Sequence, residues 1–180
     1  EKAANNDATA IQKLTLDTSG SNGLGGVTLI HDSDGKITTI YAGDLKGNMW
    51  KFDLTGASSA SWKVGLSGNA LYAGGSSQPI TAAPAVLPHP NGGYVVTFGT
   101  GKFVETVDTT DLSAQTLYGV WDSRPFGEVV APLGAAPVSG LLQLQPQTIT
   151  TVTLPGPPPV DYYKVSTNAV VWGDGLLTGK

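Results

Sequence analysis

Cysteine is absent from this chain of 180 residues, which excludes disulfides and thiolate metal sites. Its absence is compatible with the cytosol or with an export route that does not rely on disulfides. Charge is sparse as well: 13% of residues are Asp, Glu, Lys or Arg, and the net charge is −4. The Lys and Arg side chains are scattered, so neither a nucleic-acid footprint nor a polybasic membrane patch is present. No run of about 18 apolar residues occurs, so no transmembrane helix is predicted. There is no visible signal peptide and the chain begins at Glu1 without Met, which reads as a processed or excised fragment and leaves location open. Nucleophile-elbow and phosphate-loop patterns are missing too; Gly99-Thr100-Gly101-Lys102 lacks the spacing and reads as a turn.

Turn formers are plentiful instead, with 24 Gly and 12 Pro, and together with the low charge they predict an all-β chain of short strands. Helix is nearly excluded; only Ala3 to Leu16 has a faint helical pattern, and it is polar. The clearest local signal is a hairpin from Tyr41 to Leu54. Gly43 to Gly47 form its polar turn, and Gly47-Asn48 tolerate positive φ. Beyond the turn, Trp50, Phe52 and Leu54 alternate with Lys51 and Asp53, the period of a half-buried strand. The expectation is that Trp50 is buried while Lys51 faces solvent, so that Lys51→Ala costs under about 0.5 kcal/mol.

Strands are predicted at Val27–His31, Ile37–Ala42, Asn48–Leu54, Trp62–Leu66, Asn69–Gly75, Ala82–Leu87, Tyr94–Thr97, Phe103–Thr106 and Leu117–Asp122, then at Gln147–Leu154, Tyr162–Ser166 and Ala169–Trp172. They group into units of about 22–75, 76–122 and 141–180 within one domain spanning 1–180. Ile40-Tyr41-Ala42-Gly43-Asp44 and Thr97-Phe98-Gly99-Thr100-Gly101 share a weak repeat pattern, about one enlarged blade apart. A closed propeller needs about four to eight blades, so three units make an incomplete ring. Pro155 to Pro159 reads as a rigid polyproline spacer.

Several motifs follow one another in a fixed order: Asn22-Gly23-Leu24-Gly25-Gly26-Val27, the Tyr41 to Asn48 turn, Gln78-Pro79-Ile80-Thr81-Ala82-Ala83-Pro84, His89-Pro90-Asn91-Gly92-Gly93-Tyr94, Phe98-Gly99-Thr100-Gly101-Lys102, and Gln115-Thr116-Leu117-Tyr118-Gly119-Val120-Trp121-Asp122. This series resembles the C-terminal β-propeller of the PilC/PilY family, the type IV pilus tip-associated adhesins and biogenesis factors. The resemblance runs over roughly residues 22 to 172. It implies a quinoprotein-like β-propeller segment of about three blades with a non-enzymatic role: a binding and docking platform in pilus biogenesis, adhesion and the balance of extension against retraction. The implied partners are pilins or minor pilins, other segments of the parent protein, and a host or abiotic surface. The implied location is the bacterial cell surface, reached through the periplasm and outer membrane. Alternatives are a PQQ-dependent quinoprotein dehydrogenase and a secreted lectin-like propeller. Against the dehydrogenase, Asp53-Leu54-Thr55-Gly56 with Trp62 beyond it misses the spacing of the tryptophan-docking repeat.

No catalytic constellation and no cofactor site are predicted. The candidate metal ligands are Asp32 and Asp34, in the loop Ile30-His31-Asp32-Ser33-Asp34-Gly35-Lys36. With Gly35 at the sixth position of a calcium loop, Ile30 and Tyr41 fall where the first and last carboxylates belong, so two ligands remain where six or more oxygens are needed. Many relatives in the resembled family carry a complete Asp-rich calcium loop immediately before this hairpin; this one reads as an Asp-Gly hairpin turn. Asp44 is expected to bond its own turn, and Asp108 and Asp111 to sit in a solvated turn. His31 and His89 match no ligand pair, and His89 is placed on an extended loop. Trp50 and Trp121 are expected between blades, and Trp62 as an exposed ring.

Overall fold

The computed structural model of the chain describes residues 12–123, 138–139 and 144–170. The described residues contain no α-helix, only short 3-10 turns at Ser59–Ser61, Leu66–Gly68 and Thr106–Thr110. Three sheets follow the chain in order. In the first, β1 (Leu24–His31), β2 (Ile37–Asp44) and β3 (Asn48–Asp53) form an antiparallel meander. β3 then pairs with two short strands, β4 (Lys63–Val64) and β5 (Tyr72–Ala73). A parallel strand, β9 (Val138–Ser139), pairs with β5. The second sheet is the meander β6 (Ala85–Pro88), β7 (Tyr94–Gly99) and β8 (Leu117–Asp122). The third is a hairpin of β10 (Ile149–Leu154) and β11 (Val160–Val165).

The inner strands of the first sheet, β2 and β3, are covered on both faces, while β1 is largely exposed. Tyr41 of β2 and Met49 of β3 pack with Leu66, Leu71, Tyr72 and Ile80 against Val96, Phe98, Tyr118 and Val120 of the second sheet. On the opposite face Ala42, Phe52 and Leu54 gather Leu14, Leu16, Ile37, Ile40, Trp50, Trp62 and Val64. The alternation read from the sequence is real, but it separates two interiors instead of core from solvent. This corrects the expected exposure of Lys51: it is 3% exposed and lies on the Met49 face, while Trp50 on the other face is half-buried.

Three of the ordered motifs, those holding Gly26, Asp44 and Gly101, meet at a strap formed by a fourth. The segment from Pro79 to Pro84 runs between the two sheets and bonds to both. Ile80 N–H donates to the Asp44 carbonyl at 2.9 Å, Gly26 N–H to Thr81 at 2.9 Å, and Gly101 N–H to Pro79 at 2.6 Å. The Thr28 hydroxyl donates to the Pro84 carbonyl and the Thr81 hydroxyl to Gly101. A Cβ on Gly43 would lie 2.2 Å from Ile80 Cγ2, so only glycine lets β2 pass under the strap. Gly47, at φ +77° and with a Cβ position 2.2 Å from the Gly75 carbonyl oxygen, serves the turn in the same way.

Three local expectations are corrected. Phe103–Thr106 is not a strand; the chain bends there into the 3-10 turn Thr106–Thr110, whose capping box joins Glu105 and Asp108. His89 is not on an extended loop: its N–H bonds the Gly93 carbonyl, and its carbonyl accepts from Gly92 N–H, closing the β6–β7 turn. Residues 155–159, read from the sequence as a loop within the third unit, form the tip of the β10–β11 hairpin. Residues 166–170 continue past β11 without strand structure, so the Ala169–Trp172 strand is absent over its described part, and Trp172 lies outside the described residues.

Candidate functional site

The junction of the two larger sheets holds a buried ionic cluster. Tyr41 and Lys51 are cross-strand partners on β2 and β3, so both side chains leave the same face. They converge on Asp122 at the end of β8. The Lys51 ammonium lies 2.6 Å from Asp122 Oδ2, and the Tyr41 hydroxyl donates to the same oxygen at 2.6 Å. Asp122 and Tyr41 are fully buried, and Lys51 nearly so. Burial, then the Asp122 charge beside it, pushes the Tyr41 phenol far above its ordinary value, so it remains a donor. On the far face of β8, Trp121 stacks on His89 with ring centroids 4.6 Å apart and donates its indole N–H to the Gly92 carbonyl. The cluster therefore ties sheet to sheet and leaves Trp121 to fix the β6–β7 turn.

Asp44 is a second hub. Its Oδ1 accepts from the N–H groups of Lys46 and Asn48 at 2.9 and 2.8 Å. Its Oδ2 accepts from the Asn48 amide, the Asn22 amide and the Trp50 indole at 2.9, 3.0 and 2.7 Å. Burial works against ionisation here and is the largest single influence. The donors from Trp50, Asn48 and Asn22 together outweigh it and lower the pKa. The expected role of Asp44 in its own turn is met, and the carboxylate also reaches back to the chain entry at Asn22. Nearby, Lys46 pairs with Asp17 at 2.7 Å, pinning the segment before β1 to the same turn.

Asp32 and Asp34, the candidate metal ligands, sit in the β1–β2 turn. Asp32 Oδ1 accepts from the N–H groups of Asp34 and Lys36, and Gly35 adopts φ +78°. Those bonds are what a hairpin turn requires. Among the described residues no group of three or more His, Asp or Glu side chains is placed to hold a metal ion.

Asp108 departs from the solvated turn expected for it. It is buried, and its Oδ2 accepts from Val104 and Glu105 N–H while Lys102 lies 2.9 Å from Oδ1. The Lys102 contact, followed by those two N–H groups, lowers its pKa to about 2. Asp111 remains exposed and accepts from Ser113 N–H. The tryptophan expected to be exposed, Trp62, is half-buried against the Phe52 and Leu54 cluster, and its indole N–H is buried without a hydrogen-bond partner.

Lys51, Tyr41 and Asp122 were not read from the sequence as site residues. Their signal was available only in pairs: a lone cation inside an apolar alternation, and an acid closing the apolar strand Leu117–Asp122. Each is unremarkable until the two strands are known to face one another.

Among the described residues, three mainly antiparallel sheets, two of them sharing a core through a strap, define this chain as a segment of an all-β propeller of the quinoprotein-like class. Residues 4–153 match the PilY1 beta-propeller domain family, and the chain belongs to that family. The type IV pilus biogenesis factor PilY1 of Pseudomonas aeruginosa strain PAO1 is 39% identical over 161 residues, an alignment covering 76% of this chain and 14% of that protein. A homologue of that factor from Xylella fastidiosa is 39% identical over 115 residues, covering 58% of this chain and 8% of its own length. The crystal structure of the Pseudomonas aeruginosa PilY1 C-terminal domain superposes with a TM-score of 0.73 at 35% identity. That match covers 92% of this chain and 39% of the solved one. The chain thus spans about one seventh of the curated Pseudomonas relative.

Proposed function

We propose that this chain is a non-enzymatic docking platform within a type IV pilus biogenesis factor at the bacterial cell surface. It serves pilus assembly, adhesion and the balance of extension against retraction. Its partners are pilins or minor pilins, the rest of its parent protein, and a host or abiotic surface. The observation that carries this reading is the 39% identity over 161 residues to a type IV pilus biogenesis factor. The geometry supports it. The buried carboxylates Asp44 and Asp122 are engaged in joining strands, turns and sheets, which suits a rigid scaffold.

The units 22–75, 76–122 and 141–180 are, on this reading, blades of a ring that other parts of the parent protein complete. The third sheet asks for such cover. All six residues of β11 are exposed, and Ile149, Leu154, Val160, Tyr163 and Val165 present apolar surface to solvent. A two-stranded hairpin alone is marginal in water.

In the bacterium that makes the parent protein, removing the segment 22–170 in frame should reduce surface pili several-fold by electron microscopy. Immunoblotting would establish that the shortened parent protein is still made. Normal piliation with the shortened protein at its usual level would contradict the proposal.

A further inference from the structure

The two larger sheets join their second and third strands very differently. Residues 45–47 connect β2 to β3, whereas residues 100–116 connect β7 to β8. Both connections lie at the same end of the sheets. Ile80 N–H donates to the Asp44 carbonyl and Gly101 N–H to the Pro79 carbonyl, so one strap touches the start of each. The short turn shows how little the fold needs at this end, and the long loop is an elaboration of it. That loop and the first residue of β8 expose five apolar side chains: Phe103, Val104, Val107, Leu112 and Leu117. Leu112 is 95% exposed and Phe103 77%.

The loop is braced by its own polar groups. Lys102 lies 2.9 Å from the buried Asp108 carboxylate and 3.3 Å from Glu105. The capping box of Glu105 and Asp108 sets the 3-10 turn Thr106–Thr110. Within that turn the Thr109 and Thr110 hydroxyls donate to the Thr106 and Val107 carbonyls. The bracing holds the apolar side chains out in one arrangement and adds nothing to the shared core. An apolar surface presented this way marks an interaction site. Its fixed shape also lowers the entropy lost on docking.

Size and charge select the occupant. Neighbouring blades meet face to face, as the two sheets here do, and leave this end uncovered. Five side chains offer a patch of about 300–600 Å², the largest size common on a monomer. A stable complex between separate proteins buries about 800 Å² on each partner. Contacts between domains of one chain need less, about 600–1,500 Å² in total, and the tether adds to their strength. The parent has chain to spare: this segment spans 39% of the solved C-terminal domain and 14% of the whole Pseudomonas factor. Lys102 is the one cation in residues 100–116, against Glu105, Asp108 and Asp111, so the loop is net negative. We propose that the β7–β8 loop docks on a domain of the parent protein outside the C-terminal propeller, against an apolar surface with a basic rim. The proposal rests on the reading of this chain as one segment of a longer biogenesis factor, and it names the surface through which that segment meets the rest.

The test is the rate of maleimide labelling at Leu112→Cys, read by peptide mass spectrometry. It is measured in the full parent protein and in its C-terminal propeller domain, a unit crystallised on its own in the Pseudomonas relative. Ala57→Cys, on an exposed bend of the first sheet, is the control. Labelling at position 112 should be at least about tenfold slower in the full parent than in the domain, while position 57 reacts equally in both. Adding Phe103→Asp and Val107→Asp, both at exposed positions, should restore fast labelling in the parent and leave its circular dichroism spectrum unchanged. Equal rates at position 112 in the two proteins would overturn the proposal. So would slow labelling in the domain alone, which would mean that the rest of the ring covers the loop. Protection that survives the two aspartates, or that appears only when purified pilin is added, would overturn it as well. Labelling reads this contact and piliation reads the pilus role, so the two can fail separately.

Discussion

Lys51→Ala should destabilise the chain by about 3–5 kcal/mol, the usual cost of removing one member of a buried ion pair. The substitution takes the Lys51 ammonium away from Asp122, which is fully buried and accepts from the Tyr41 hydroxyl. It also removes an alkyl stem that packs against Gly65, where a Cβ would lie 3.1 Å from Lys51 Cγ. Combining Lys51→Met, Asp122→Leu and Tyr41→Phe should recover most of the loss, because it removes both charges together with the buried hydroxyl they would leave stranded, and keeps the volume. Urea melts of the single and combined variants measure this directly. A single-variant cost below about 0.5 kcal/mol, the ordinary value for a surface site, would mean that Lys51 reaches water and that the two sheets are not packed as described.

Asp44→Ala should cost at least about 3 kcal/mol, because it strips the acceptor from five donors at once and each buried unsatisfied group costs roughly 1–3 kcal/mol. The donors come from three segments, so the loss should loosen the Asn22 entry, the β2–β3 turn and the Trp50 ring together. The effect has a pH signature. The folded pKa is lowered, so the stabilisation is complete above the ordinary carboxylate value of about 3.9 and is lost as pH falls through the folded value. Part of the wild-type acid destabilisation should therefore vanish in Asp44→Ala. Melts of both proteins at neutral pH and in acid check the sign; parallel pH profiles would show that Asp44 is not ionised in a bonded site.

The strands were legible where local chemistry sufficed. Tyr41 to Leu54 announces a hairpin through Gly47-Asn48 and a period of two, and both the turn and the Trp50–Phe52–Leu54 face are found. What lay beyond reach was which side of that strand meets solvent. In a sheet covered on both faces, alternation sorts residues between two interiors, so Lys51 and Asp53 were read as outward although both are buried. The loop from Lys102 to Ser113 failed for another reason. Phe103 and Val104 carry β propensity, but Lys102, Glu105 and Asp108 form a local ion cluster and capping box that bend the chain first. Among the site residues, Asp44 was readable because its donors lie mostly within six residues. The Lys51–Asp122 pair was not, since its members are 71 positions apart in the chain and meet only when the sheets pack. Trp62 misled because its neighbours Ser61 and Lys63 are exposed while the ring itself turns inward.

On the function proposed above, this chain is an arc of a propeller whose third sheet is covered by other parts of its parent protein. Amide hydrogen exchange on the isolated 180-residue chain and on the whole parent protein decides whether that is so. Amides of β2, β3, β7 and β8 should be protected in both, because these strands enclose the shared core. Amides of β10 and β11 should exchange rapidly in the isolated chain and become protected in the parent. Strong protection of β10 and β11 in the isolated chain, or rapid exchange of both strands in the parent as well, would contradict it.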